Sequence, residues 1–171
     1  MSLAVLEARP TPPPSIATGQ SVDAGQWAIE IEAIDAGTTL PDGRRTTAGR
    51  GALMLTAKLT NRTGTSTSDF LQAIKLAHPV PGIDDKPTVY LLRDRTYLRQ
   101  LHPGLAERVT YVWTYPLTAK LPQKARFELI ARKYKPRDNL YAASGWFNPS
   151  VVGTIELPLA ADSASLIPAT Q

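Results

Sequence analysis

The sequence predicts an all-β fold built as an antiparallel sandwich, and three observations carry that prediction. Four segments, centred on Ile29, Leu55, Tyr111 and Leu129, alternate apolar and polar residues. A period of two is the spacing of a half-buried strand. Turn chemistry separates these segments. The 15 prolines are scattered along the chain, and proline in a helix interior removes a hydrogen bond and clashes with the preceding turn, so long helices are disfavoured.

The elements follow in order. Residues 1–14 contain the run Ala8-Arg9-Pro10-Thr11-Pro12-Pro13-Pro14 and read as a stiff, extended linker. Residues 15–22 fit a first edge strand. Residues 26–36 form the first clear strand, with Trp27, Ile29, Ile31 and Ala33 on one face and Glu30 and Glu32 on the other. Residues 37–51 make a long polar loop with an Asp-Gly pair and three arginines. In residues 52–61, Leu53, Leu55, Ala57 and Leu59 alternate with Met54, Thr56, Lys58 and Thr60. Asn61-Arg62-Thr63-Gly64 ends that strand, because Asn and Gly accept positive φ.

Residues 69–77 fit two descriptions, a short helix capped by Ser68 or an edge strand ending at His78-Pro79. A proline-bearing loop spans 78–87. Residues 88–92 and 96–101 read as a hairpin about Arg93-Asp94-Arg95, and Leu101-His102-Pro103-Gly104 as a tight turn. In residues 106–115, Val109, Tyr111, Trp113 and Tyr115 share a face. Residues 126–133 place Phe127, Leu129 and Ala131 together. A second long loop covers 135–150, residues 151–159 form the last strand, and 160–171 read as a flexible tail. The total is seven to nine strands with room for one short helix, in one domain at 15–159.

Several motifs then fall in a particular order. They are Gln26-Trp27, Asn61-Arg62-Thr63, Leu101-His102-Pro103-Gly104, the run Arg108-Val109-Thr110-Tyr111-Val112-Trp113-Thr114-Tyr115-Pro116, and Thr154-Ile155-Glu156-Leu157. Over residues 20–159 this order resembles the telokin-like, immunoglobulin-like domains of bacterial lipoproteins and membrane-anchored proteins, a family of unknown function. The two long loops, 37–51 and 135–150, depart from its pattern. The resemblance implies an immunoglobulin-like antiparallel β-sandwich, an address outside the cytoplasm (periplasm or cell surface) and no established catalytic residues. The Pro-rich stretch fits a tether behind an N-terminal membrane anchor, with Met1-Ser2-Leu3 standing where that anchor was removed.

Composition excludes several chemistries. With no cysteine, disulfides, zinc–thiolate sites, iron–sulfur clusters and thiol catalysis are all absent. A net charge of +4 falls short of the dense basic stripe of a nucleic-acid binder, so no nucleic-acid partner is expected. No apolar run approaches the roughly 20 residues of a membrane-spanning helix. The two histidines, His78 and His102, each adjoin a proline in a turn and lack metal-ligand spacing. No Gly-x-Ser-x-Gly elbow and no phosphate-binding Gly-Lys-Ser/Thr loop occurs. Asp84-Asp85 is a weak calcium signal. Asn61-Arg62-Thr63 matches a glycosylation sequon, which matters only in a eukaryotic secretory protein. The expectation is no enzyme, no metal and no cofactor.

Three sets of residues are candidates for contact with a partner. Tyr141, Trp146 and Phe147 lie outside any strand pattern, and exposed aromatics are enriched at contact hot spots; buried, they would instead anchor the long loop. Arg132, Lys133, Lys135 and Arg137, with Tyr134 among them, form a basic set suited to an acidic partner. Arg44, Arg45 and Arg50 form another in the first long loop. For both sets the plain alternative is a solvated surface. Trp27 and Trp113 belong to the core. The expected role is a non-enzymatic interaction domain that meets a protein partner in the cell envelope and touches the membrane only through its anchor. The alternative is a carbohydrate- or small-ligand-binding module using the loop aromatics.

Overall fold

The computed structural model describes residues 11–137, 140 and 143–159. Tyr141, the first ten residues of the expected linker and the expected tail at 160–171 lie outside the described residues. Among the described residues nine strands form, in the order β1 (Ser21–Ala24), β2 (Trp27–Gly37), β3 (Arg50–Asn61), β4 (Ile74–Leu76), β5 (Thr88–Leu91), β6 (Thr96–Tyr97), β7 (Ala106–Pro116), β8 (Lys124–Lys135) and β9 (Gly145–Pro158). One sheet has the order β1-β2-β3-β7-β5-β6 and the other β4-β8-β9. All strand pairs are antiparallel. Without the edge strands β1 and β6, the order is β2-β3-β7-β5 facing β4-β8-β9. That is the A-B-E-D and C-F-G arrangement of a constant-type immunoglobulin sandwich. The cysteine pair of antibody domains is missing, and the topology stands without it.

The core lies between the sheets and comes from the inward residues of each alternation. Ile29, Leu55, Leu59, Tyr111, Phe127 and Leu129 are fully buried. The Trp113 and Phe127 rings meet across the sandwich with centroids 5.5 Å apart, and Trp27 meets Phe70 edge-on at 6.3 Å. Buried aromatic side chains are among the largest single contributions to such a core.

Departures from the expected elements have identifiable causes. In β2 the pairing shifts between Ile31 and Ala33, so Glu32 is an extra residue. A bulge inverts the alternation beyond it. Ala33 is therefore exposed rather than inward, and Ile34 and Ala36 pack on the core instead. Residues 69–77 take both descriptions in turn, a 3-10 turn at Asp69–Gln72 and then β4. The strand expected at 96–101 stops at Tyr97, because the chain leaves the sheet and Leu101 pairs with Thr67 in the 62–73 connection. The first edge strand begins at Ser21 rather than residue 15. Ahead of it, residues 14–16 dock on the last strand: the Ile16 N–H donates to Thr154 O at 2.7 Å and the Thr154 N–H donates to Pro14 O at 2.9 Å. Ile16 fills the space over Gly153, where a methyl group would meet its side chain at 2.6 Å.

The segment between β2 and β3 is anchored. Leu40 packs on Ala52, Tyr90 and Val112, a small apolar cluster on the outer face of the six-stranded sheet.

Candidate functional site

The largest difference from the expected elements lies at β8 and β9. The loop expected at 135–150 is strand at its two ends, Lys135 and residues 145–150. β8 runs to Lys135, β9 starts at Gly145, and they pair as far as Lys135↔Gly145. Two irregularities hide this from the sequence. Pairing steps from Leu129↔Gly153 to Ile130↔Val151, and from Ala131↔Ser150 to Lys133↔Phe147, each with one more residue on β9 than on β8. Asn148 lies in the second with φ 56°. The Asn148-Pro149 pair that reads as loop chemistry is a bulge in a continuous hairpin.

β4 pairs only with residues Phe127 to Leu129 of β8. Beyond that point β8 and β9 continue as a two-stranded arm, at the end of the sandwich that carries the 62–73 and 92–105 connections. Residues paired across an antiparallel ladder share a face. Tyr134 and Trp146 are such a pair, with ring centroids 5.4 Å apart. Tyr134 is 54% exposed. Lys133, Lys135 and Phe147 occupy the opposite face, with Lys135 Nζ 6.0 Å from the Phe147 ring centre, within reach of a cation–π contact. Trp146 and Phe147 are thus not side-by-side loop aromatics but successive strand residues facing opposite ways. Arg137 is exposed just past the strand.

Arg132 does not join Lys133 and Lys135. It lines a cleft of about 700 Å³ with Leu71, Ile74, Ile83, Trp113 and Ile130. Its Nε is buried and has no hydrogen-bond partner among the described residues. The Arg132 carbonyl oxygen lies 2.6 Å from where a Gly25 methyl group would sit, so the β1–β2 turn packs tightly on this part of β8. Alternation alone separates Arg132 from its sequence neighbours.

The first-loop arginines divide in the same way. Arg44 and Arg45 are exposed, and Arg44 Nε lies 3.8 Å from Asp42. Arg50 is no part of an open loop surface, because it begins β3 and is a clamp. Its Nη2 donates to Thr114 O at 2.8 Å and Gly82 O at 3.1 Å, and its Nε donates to Thr114 Oγ1 at 3.1 Å. Asp84 completes the clamp: its Oδ2 accepts from the Thr114 N–H and Oγ1, each at 2.8 Å. Asp84 is therefore engaged in the fold and does not present a free carboxylate with Asp85. Among the described residues, no group of three or more His, Cys, Asp or Glu could hold a metal ion.

The sequon residue Asn61 is also structural. It is 1% exposed. Its Nδ2 donates to Thr65 O and Leu101 O, each at 2.9 Å, and its Oδ1 accepts from the Thr63 N–H at 2.9 Å and Oγ1 at 2.7 Å. Ser66 Oγ lies 2.6 Å from His102 Nδ1, an exposed contact that the sequence did not announce. A serine nucleophile also needs an acid that orients its base, and among the described residues no carboxylate bonds His102.

No helix among the described residues is long and apolar enough to cross a membrane. No protein-family model matches the chain, and no curated protein matches it. Among solved structures, the chain is similar to an uncharacterised β-sandwich protein of Clostridium difficile 630. The TM-score is 0.53 at 10% identity, covering 86% of this chain and 96% of that one. At that identity the likeness shows the sandwich fold alone.

Proposed function

We propose that this chain is a non-enzymatic binding domain that holds an acidic protein partner with its β8–β9 arm. The observation that carries the reading is the continuation of the β8–β9 ladder beyond β4. A paired, doubly bulged hairpin holds aromatic and cationic side chains in fixed geometry, and rigid presentation lowers the entropic cost of binding. Residues 133–150 contain three Arg or Lys and one acidic residue, Asp138. Aromatics among cations suit a partner surface rich in carboxylates. In immunoglobulin variable domains the F–G loop, at the position of the β8–β9 connection, takes part in binding. That analogy supports the reading without establishing it.

The family resemblance adds the remaining parts of the proposal, an address in the cell envelope outside the cytoplasm and attachment through an N-terminal anchor. Recovery of the full chain in the cytoplasmic fraction of its own cell would remove them and leave the arm untouched. The glycan alternative has less support, because Trp146 and Phe147 face opposite sides of the arm and offer no single stacking platform.

The test is site-specific photo-crosslinking in the cell that makes the protein, from position 134 and from position 117. Leu117 is also exposed but lies at the far end of β7. Crosslinks from 134 alone, weakened about tenfold or more by Trp146→Ala or by Lys133→Glu with Lys135→Glu, are expected. Equal crosslinking from both positions, or none from 134, overturns the reading.

A further inference from the structure

We propose that the cleft beside β4 binds a small organic carboxylate with an apolar body, and that Arg132 anchors its carboxylate. Alternation puts Arg132 on the Tyr134 side of β8, but the cleft's lining includes none of Lys133, Tyr134, Lys135 and Trp146.

The space and its lining give the first argument. The cleft holds about 700 Å³, within the roughly 300–1,000 Å³ of sites that enclose small ligands. The 3-10 turn and β4 supply Leu71 and Ile74, the 79–87 segment supplies Ile83, and Trp113 and Ile130 come from β7 and β8. Such a lining receives hydrocarbon.

Arg132 gives the second. Its buried Nε has no partner among the described residues, and an unpaired buried donor on a charged group is costly. The planar guanidinium fork matches a carboxylate through two parallel hydrogen bonds. An arriving carboxylate would bring the compensating charge, and a shift of the Arg132 side chain toward the cleft would bring the Nε–H, buried in the unliganded arrangement, into the pair.

The surrounding charge agrees. Lys75, Lys86, Asp84 and Asp85 also line the cleft. Asp84 is already bonded to Thr114 and lies 3.5 Å from Arg50 Nη2. Arg132, Lys75 and Lys86 are left against Asp85, a balance that favours a monoanion.

The experiment titrates the ¹⁵N-labelled full chain with hexanoate and phenylacetate, and in parallel with hexanamide and phenylacetamide. Each amide matches its acid in shape and lacks its charge. The carboxylates should shift the amide signals of Leu71, Ile74, Ile83 and Ile130, with the matched amides binding at least about tenfold more weakly. Arg132→Gln should weaken carboxylate binding by about tenfold and leave amide binding unchanged. Ile83→Trp, which fills the cleft, should abolish both, whereas Trp146→Ala should alter neither. Equal response to acid and amide overturns the proposal on the unaltered chain alone, even if a variant fails to fold. So do shifts confined to residues outside the cleft, or no response at millimolar ligand. The Trp146→Ala result separates this site from the arm, so either proposal can fail without the other.

Discussion

The Tyr111 hydroxyl donates to the backbone carbonyl of Phe70 at 2.5 Å, inside the core and 41 residues away in sequence. It joins the inner face of β7 to the 3-10 turn, whose N-cap Ser68 makes no side-chain capping bond. Tyr111→Phe keeps the ring and removes the donor, leaving the Phe70 carbonyl with only the Ala73 N–H at 3.2 Å. The expected cost is about 0.5–1.5 kcal/mol, seen as a lower urea midpoint at unchanged slope.

The same residue makes an alkaline prediction. Burial pushes the Tyr111 phenol well above its ordinary value, so the folded chain keeps a proton that the unfolded chain releases near pH 10. Its contribution is complete below that pH and is lost as pH rises toward the folded value. Tyr90 and Tyr115 are raised as well, again chiefly by burial. The informative quantity is therefore the difference between the parent and Tyr111→Phe. That stability gap should narrow above about pH 10, measured by urea unfolding at stepped pH.

At Asp23 the sign is opposite. The carboxyl is held below its ordinary value of about 4, first by the Gly25 N–H and then by the Arg62 guanidinium. Stabilisation is present above the unfolded value and is lost as pH falls through the folded one. Both side chains are largely in water, so the effect should stay below about 1 kcal/mol. Asp23→Asn should lower the melting temperature at neutral pH, and the gap should close below about pH 3.

Two glycines with similar backbones should respond differently to alanine. Gly25 and Gly43 have φ of +74° and +88°, where an L side chain is strained. A methyl group at Gly43 meets nothing within 4 Å, whereas at Gly25 it meets the Arg132 carbonyl oxygen at 2.6 Å. Gly25→Ala should exceed Gly43→Ala in cost by at least about 1 kcal/mol, measured by denaturant unfolding of both.

Asn61 offers the largest expected effect of a single polar change. Asn61→Ala takes one of two donors from each of the Thr65 and Leu101 carbonyls, which keep Thr63 Oγ1 and the Thr67 N–H, and frees the turn at Thr63. A loss of about 1–3 kcal/mol is expected. Asn61→Asp should recover only part of it, because it restores the acceptor and not the donors.

Strands whose alternation runs unbroken were legible in the sequence. β3 and β7 pair residue for residue from Arg50↔Pro116 to Thr60↔Ala106, so every apolar residue keeps its parity and both strands read correctly. β2 was legible up to Glu32 and inverted after it, since the sequence does not mark an extra residue that leaves both sides of a bulge well formed. β9 was half hidden because its two irregularities and Asn148-Pro149 imitate a loop. The candidate site was less legible still. Arg132 and Lys133 are neighbours of like charge, and only the direction of each strand residue sends one to the cleft and the other to the arm. Arg50 looked like its loop companions Arg44 and Arg45, yet the acceptors that fix it come from Gly82 and Thr114, far away in sequence.

The docking of residues 14–16 on Thr154 has a mechanical consequence. A pull from the N-terminal side loads two backbone hydrogen bonds and the Ile16 contact over Gly153 before it reaches any sheet ladder. Those few contacts would part first and lift Ile16 from its seat. The long β2–β3 and β3–β7 ladders would meet the same force later, with many bonds sharing it. Under such a pull residues 14–16 would act as a fuse, letting the leading segment lengthen while the sandwich behind it stays folded.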